Sequence, residues 1–325
     1  MDYSNTTRKE LLVFCLQQNI KNISGKNKAM LIELLNNDAI IQLSPFLKWV
    51  GGKTQIITTV LDLFPKEITT YYEPFLGGGS VLLALLSAVK QERITVSGRI
   101  TASDLNSGLI GLWKNIQLFP GEIIEATRIL INEYEASKPD KNEDYFYTTR
   151  TRFNEELDKA SISASALFLF LNKTCFRGMY RENSTGKFNV PYGFYKNPSI
   201  MNDENIMSVS ELIKNVEFLN CDFLNVFETI THGDFVYLDP PYAPENTTSF
   251  TSYNKGGFDL ETHARLFTAC HLLNEKKVRI LMSNADVELV KSAFSEYTMQ
   301  SISCRRAINS KNPAARTNEL LVSNY

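Results

Sequence analysis

The chain has 325 residues, 43% hydrophobic and 22% charged, with a formal net charge of -2. This is the composition of an ordinary globular protein, long enough for a sizeable core and one or two domains. It argues against a disulfide scaffold, because the five cysteines (15, 175, 221, 270 and 304) are odd in number and scattered, with no CxxC pair and no histidine at zinc spacing. Reduced packing thiols and no metal site are expected.

The opening stretch "MDYSNTTRKELLVFC" is polar before it is apolar, unlike a secretory signal. No apolar run reaches about 18 residues, so no membrane-spanning helix is expected, and the chain reads as intracellular. Residues 7–36 read as two short helices. Leu11, Leu12, Cys15 and Leu16 share one helical face, "ISG" interrupts it, and Met30, Leu31, Leu34 and Leu35 resume the period. The spacing and the central Ser-Gly resemble the SAP motif, a small helical DNA-binding module. A helical extension packed on the main body is the other reading.

After a polar stretch at 36–45 comes "PFLKWVGGKTQI". Its "GGKT" lacks the glycine five positions before Gly52 that a phosphate loop needs, Leu47 being there. The Gly51-Gly52 turn between Trp49 and Lys53 instead offers an apolar wall and a cation. Strands are predicted near 70–74, 99–103, 215–220, 234–238, 277–282, 297–303 and 318–323. Helices lie between them, as at 80–90 and 260–275. That alternation predicts an α/β fold, a mostly parallel sheet covered on both faces. Residues 115–205 break the rhythm and read as an insertion.

Four stretches carry chemistry. In "YYEPFLGGGS" a strand ends in Glu73 and runs through Phe75, Gly77 and Gly79 to a helix starting at Ser80. Glycines there permit a sharp turn and a close ligand approach. Leu82 stands where a dinucleotide fingerprint needs its third glycine, which disfavours NAD. The acid before Gly-x-Gly suits a cationic amino-acid ligand such as S-adenosyl-L-methionine; a plain tight turn remains the alternative. In "ITASDLN", Asp104 ends the next strand, placed either to accept from ribose hydroxyls or to cap the following helix.

The third stretch is "DFVYLDPPYAP". An exocyclic amine on a base is a poor nucleophile because its lone pair is delocalised into the ring. Two acceptors on its hydrogens localise that pair as a new bond to carbon forms. Asp239 offers a carboxylate and Pro240 a carbonyl; with Pro241 next to it, the backbone angle is fixed and the carbonyl is aimed in advance. Tyr242 offers a ring on which a base can stack. A proline-stiffened strand exit is the bland alternative. The fourth stretch is basic: Lys173, Arg177, Arg181, Lys187 and Lys196 stand against Glu182 in residues 171–198, and a second basic run covers 303–316. Such patches suggest an anionic partner, although either alone could be a solvated face.

Together "FLKWVGGK", "EPFLGGGS", "SDLN", "LNKTCFRGMYRENSTGKFNVPYG", "CDF", "DPPY" and the ending "RRAINSKNPAARTNELLVSNY" resemble the Dam-like DNA adenine-N6 methyltransferases, in the family's order, over residues 45–325. The resemblance implies a Rossmann-like methyltransferase fold with an inserted, mainly helical target-recognition domain. By it, 45–114 with 206–325 is the catalytic domain and 115–205 the recognition domain; the SAP-like module, 1–40, is extra to the family's bacterial pattern. It implies S-adenosyl-L-methionine as cofactor, at Trp49, Gly51, Gly52, Lys53, Glu73, Phe75, Gly77, Gly79, Ser80, Asp104, Asp222, Phe223 and Asp239. In this arrangement Asp222 meets the adenine amino group and Phe223 its ring. Asp239, Pro240, Pro241 and Tyr242 form the catalytic corner. Lys48, Arg177, Met179, Arg181, Asn183, Pro191 and Tyr195 match positions that contact double-stranded DNA. Arg177 departs from the family, where Asn is frequent, and Met179 stands where Leu is usual, so the target can differ from GATC, the first expectation. A monomer or weak dimer is expected, with a cognate restriction endonuclease as a functional partner. Cytosine-N4 or RNA methylation, and a non-catalytic DNA-binding module, are the rival readings; cytosine-C5 chemistry is set aside because no cysteine follows a proline.

Overall fold

The computed structural model describes residues 6–17, 23, 25–36, 43–137, 141–244, 258–305 and 316–325. Helices α1 (Arg8–Gln17) and α2 (Lys28–Asn36) come first, then α3 (Ile57–Asp62), β1 (Glu67–Ile68), β2 (Tyr71–Glu73), α4 (Ser80–Lys90), β3 (Thr95–Val96) and β4 (Ile100–Asp104). A run of helices follows: α5 (Ser107–Leu118), α6 (Pro120–Ala136), α7 (Asn142–Glu155), α8 (Ile162–Thr174) and α9 (Asp203–Ile213). The chain closes with β5 (Val216–Asn220), α10 (Phe223–Phe227), β6 (Phe235–Leu238), α11 (Leu260–Glu275), β7 (Arg279–Ala285), α12 (Glu288–Ala293), β8 (Thr298–Arg305) and β9 (Arg316–Ser323).

Seven strands form one sheet in the order β5-β4-β2-β6-β7-β9-β8. The five strands from β5 to β7 are parallel, and β9 runs antiparallel to both β7 and β8. β2 is the first strand of the sheet in sequence. The chain moves outward from it to β4 and β5, then returns to its other side at β6, so the sheet's switch point lies between β2 and β6. In open α/β sheets ligands bind in the crevice beyond the carboxyl ends of the strands at that point. Glu73, Asp104 and Asp239 stand at or just past the carboxyl ends of β2, β4 and β6.

Strand side chains alternate in direction, and the two cores follow. Tyr71, Phe235, Tyr237, Leu281 and Leu321 enter one core, with Val60 of α3, Leu82 of α4, Leu109 of α5, Ile206 of α9 and Phe168 of α8. Tyr72, Val236, Leu238, Ile280 and Val322 enter the other, with Phe223 of α10, Leu266 of α11 and Val290 of α12. The inserted helices therefore share a continuous core with the sheet. Helix α8, "ISASALFLFLNKT", is buried along nearly its whole length, at its centre.

A parallel pair of two-residue strands, β1 and β3, had no signal in the sequence. At the N-terminus, α1 and α2 close on Leu11, Cys15 and Leu31, with Leu12, Ile23 and Ile32 packed beside them. The apolar face is narrower than the periodicity suggested: Leu16 and Met30 are 64% and 48% exposed. The side chains of Leu34 and Leu35 lie outside the described residues. Among the described residues, this small cluster contains no side chain from the rest of the chain.

Candidate functional site at the switch point

The glycine loop is shaped by two tryptophans. Gly77 and Gly79 take positive φ angles of 49° and 66°, which L side chains rarely adopt. A Cβ on Gly77 would stand 2.7 Å from Trp49 Nε1, and one on Gly79 2.4 Å from Trp113 Cζ2. These glycines make the sharp turn expected of them and also admit the protein's own indole rings, a close approach the sequence did not show. Asp104 Oδ2 accepts from the Gly77 N–H at 3.0 Å and so braces the loop from the next strand. Capping the following helix falls to Asn106, whose side chain accepts from the Leu109 N–H at 2.9 Å. The alternative reading of Asp104 as that cap is thereby corrected; the amide two residues on has the reach to the third helical N–H.

Lys53 does not stand as a free cation in the cofactor wall. It is 2% exposed, and its ammonium donates to Asp239 Oδ2 at 2.6 Å and to the Gly51 carbonyl at 2.7 Å. Its own N–H donates to Ser80 Oγ, tying the Gly51-Gly52 turn to the start of α4. Removing Asp239 would leave the buried Lys53 ammonium without its carboxylate partner, at a cost of up to about 3–5 kcal/mol. Burial pushes the Asp239 carboxyl up from its ordinary range, and the Lys53 ammonium draws it back. Among the described residues, no hydrogen bond engages Asp239 Oδ1.

Glu73 is also buried. Burial raises its carboxyl to about 8, against a hydrogen bond from Tyr71 Oη at 2.7 Å that lowers it. Beside it Phe75 and Phe223 pack on each other with ring centroids 5.4 Å apart, and Phe258 stands edge-on 5.8 Å from Phe75. Asp222 caps α10 by accepting from the Leu224 N–H and lies 3.8 Å from Arg265. The crevice thus holds four acidic side chains, Glu73, Asp104, Asp222 and Asp239, with one paired lysine, an aromatic cluster and the Trp49 wall. That set fits a ligand with a cationic amino-acid end, hydroxyls and a flat ring, which is the chemistry of S-adenosyl-L-methionine. Phe258, which carries no motif signal in the sequence, packs against both Phe75 and Phe223.

The corner after β6 is held from two strands. Asn284 of β7, fully buried, accepts from the N–H groups of Ala243 and Ala285 at 2.9 and 2.8 Å. Glu319 of β9 accepts from the Tyr242 hydroxyl at 2.8 Å. The Lys53 ammonium lies 5.1 Å from the centre of the Tyr242 ring.

Residues 175–192 form an antiparallel hairpin, with bridges Cys175–Tyr192 and Glu182–Phe188. Arg181 is exposed, and its Nε donates to Asn189 Oδ1 at 2.7 Å, which sets the plane of the guanidinium. Asn183 Oδ1 accepts from the Thr185 and Lys187 N–H groups and the Thr185 hydroxyl, so that oxygen builds the hairpin turn. Arg177 takes a φ of +56°, a conformation that Asn tolerates better than Arg. Pro191 is exposed and accepts from the Phe176 N–H, and Met179 packs half-buried on the core. The Lys48 ammonium lies 4.0 Å over the Tyr195 ring and donates to the Lys173 carbonyl. Burial and the neighbouring Lys48 lower Lys173 to about 8.

Asn172, at the end of α8, joins the two regions. Its amide accepts from the Lys48 N–H at 2.9 Å and donates to the carbonyls of Lys48 and Gly178 at 2.7 and 3.2 Å. The hairpin's Tyr180 stacks on Phe168, and both lie against Trp49. The second basic run is only partly visible: positions 306–315 lie outside the described residues. No helix among the described residues is long and apolar enough to cross a membrane.

The sequence profile of the D12 class N6 adenine-specific DNA methyltransferases matches residues 49–308. The Type II methyltransferase M.MjaIII of Methanocaldococcus jannaschii is 37% identical over 295 residues, spanning 88% of this chain and all of the relative. The Type II methyltransferase M1.LlaDCHI of Lactococcus lactis subsp. cremoris is 32% identical, spanning 88% and 96%. The DNA adenine methylase of Escherichia coli is 31% identical over 282 residues, spanning 86% and 94%. With four-fifths of its length under the profile and these relatives matched nearly end to end, the chain belongs to the D12 class N6 adenine-specific DNA methyltransferase family.

Proposed function

We propose that this adenine methyltransferase acts on one adenine in a short duplex target, with GATC as the first candidate, after turning the base out of the helix. The observation that carries the reading is Asp239. One of its oxygens is held by Lys53, the other is unengaged among the described residues, and the corner is fixed at the sheet's switch point. An adenine inside a duplex cannot reach such a corner, and extrusion costs a few kcal/mol of unstacking.

Bound S-adenosyl-L-methionine supplies an electrophilic methyl group on a sulfonium. Glu73, Asp104, Asp222, Phe75, Phe223 and Trp49, with the Gly51-Gly52 turn and the loop from Gly77 to Ser80, hold it. Asp239 Oδ1 and the Pro240 carbonyl accept the two amine hydrogens and localise the nitrogen lone pair. Lys53 keeps the carboxylate ionised and oriented, so it acts as an acceptor in a preorganised field. Tyr242 offers the stacking face. Once the nitrogen carries the new bond it loses one of its hydrogens as a proton on that acceptor side, and no covalent enzyme intermediate is required.

Residues 115–205 serve as the target-recognition part. Arg181 and Arg177 are the candidates for bidentate guanine contact, with Asn183, Lys48, Met179, Pro191 and Tyr195 completing the reading surface. The α1–α2 hairpin lies outside the profile match and adds sequence-independent phosphate contacts. The chain acts as a monomer or weak dimer, in a DNA-marking or restriction-modification setting with a cognate endonuclease as functional partner. Single-molecule sequencing of DNA from cells expressing the chain tests the target: N6-methyladenine at one short motif is expected. Modification of cytosine, or of adenine without context, would overturn the reading.

A further inference from the structure

The Tyr242 hydroxyl is a single donor, and it goes to Glu319 Oε2, at 2.8 Å. Glu319 can take it because the final hairpin of the sheet folds back: β9 runs antiparallel to β7, and Glu319 is paired with Ala285, one residue past the Asn284 that holds the backbone of Ala243. Adjacent strands thus hold adjacent residues of the corner, one by main chain and one by side chain. Asp239 meanwhile gives Oδ2 to Lys53.

We propose that Glu319 is a positioning residue for methyl transfer: by taking the Tyr242 hydroxyl it fixes the ring that faces the extruded base. Glu319 touches neither the methyl donor nor the amine in this role; it works through Tyr242. The inference rests on the assignment of Asp239–Tyr242 as the transfer corner.

The test is a double-mutant cycle on the full chain, with single-turnover methyl transfer from labelled S-adenosyl-L-methionine to duplex DNA and cofactor affinity measured separately. Glu319→Ala is expected to slow transfer about tenfold, the scale of one lost charge-assisted hydrogen bond. Tyr242→Phe, which keeps the ring and loses the donor, is expected to slow transfer to a similar degree. The double variant should be no slower than the slower single variant, and cofactor affinity should stay within about twofold throughout. Glu319→Gln retains a side-chain carbonyl acceptor and should recover most of the rate, with thermal melting confirming that all variants fold. Multiplicative losses in the double variant, a full rate in Glu319→Ala, or no recovery in Glu319→Gln would each overturn the role. A wild-type chain that transfers no methyl group to DNA would instead overturn the assignment of the corner itself.

Discussion

The switch-point crevice and the 175–192 hairpin satisfy their polar groups in opposite ways. In the crevice, partners come from far along the chain: Lys53 reaches Asp239 across 186 positions and Tyr242 reaches Glu319 across 77. In the hairpin, Asn183 bonds residues two and four positions on, and Arg181 bonds Asn189 eight positions on. The crevice is therefore fixed by the whole sheet, and each acceptor is aimed before any ligand arrives, which is what charge stabilisation in a transfer step requires. The hairpin's turn is built by its own side chains, while Asn154 and Arg150 tie its second arm to α7, and it presents exposed cations beyond that anchor.

Breaking the crevice should have the largest effect. Asp239→Ala is expected to reduce methyl transfer by about 10²–10³-fold or more, and it also strips Lys53 of its partner, lowering the melting temperature. Replacing Lys53 with Met in the same chain should recover melting but no activity; recovered turnover would contradict the role of Asp239. Breaking the hairpin should leave the chemistry intact. Arg181→Ala is expected to lose about 1–3 kcal/mol of discrimination between the target and a one-base variant, read as the ratio of kcat/KM values. Its single-turnover rate on saturating target DNA should stay near wild type.

A smaller effect sharpens the contrast through pH. The Glu73 carboxyl, raised by burial to about 8, is neutral in the folded chain across the range where the unfolded chain would ionise it. Its stabilising contribution is complete below about pH 4.5 and is lost as pH rises through about 8. Thermal melting should fall across that window and flatten in Glu73→Gln. Cofactor binding should respond in the opposite direction: a cationic ligand favours the ionised carboxylate, so affinity should rise with pH toward about 8 in wild type only. The smallest effect belongs to the N-terminus. A chain lacking residues 1–42 should keep its target and rate, and lose DNA affinity mainly through a shallower salt dependence.

The sheet was legible because its central strands β6 and β7 carry short apolar runs and the others carry apolar, aromatic or β-branched residues between turn signals; all seven predicted strands occur, and helices 80–90 and 260–275 match Ser80–Lys90 and Leu260–Glu275. The acids of the crevice were legible because they end strands. Their pairings were not. Nothing near Lys53 in sequence says that its ammonium meets Asp239, and nothing near Tyr242 says that Glu319 takes its hydroxyl, since both pairs depend on strand order. Asp104 misled for a local reason: Asp and Asn two positions apart both suit a helix cap, and only the backbone path decides between them. Leu16 and Met30 fitted the helical period but face outward, because a two-helix unit this small buries only a narrow stripe.

Asn172 binds the segment carrying Lys48 and Trp49 to the end of the hairpin at Gly178 with three hydrogen bonds. Thermodynamic reciprocity applies to any such joint. If filling the cleft against Trp49 tightens the grip on one DNA sequence by some factor, that sequence tightens the grip on the methyl donor by the same factor. A wrong sequence, failing to seat the hairpin, would then weaken donor binding by that same factor, one coupling energy felt from either ligand.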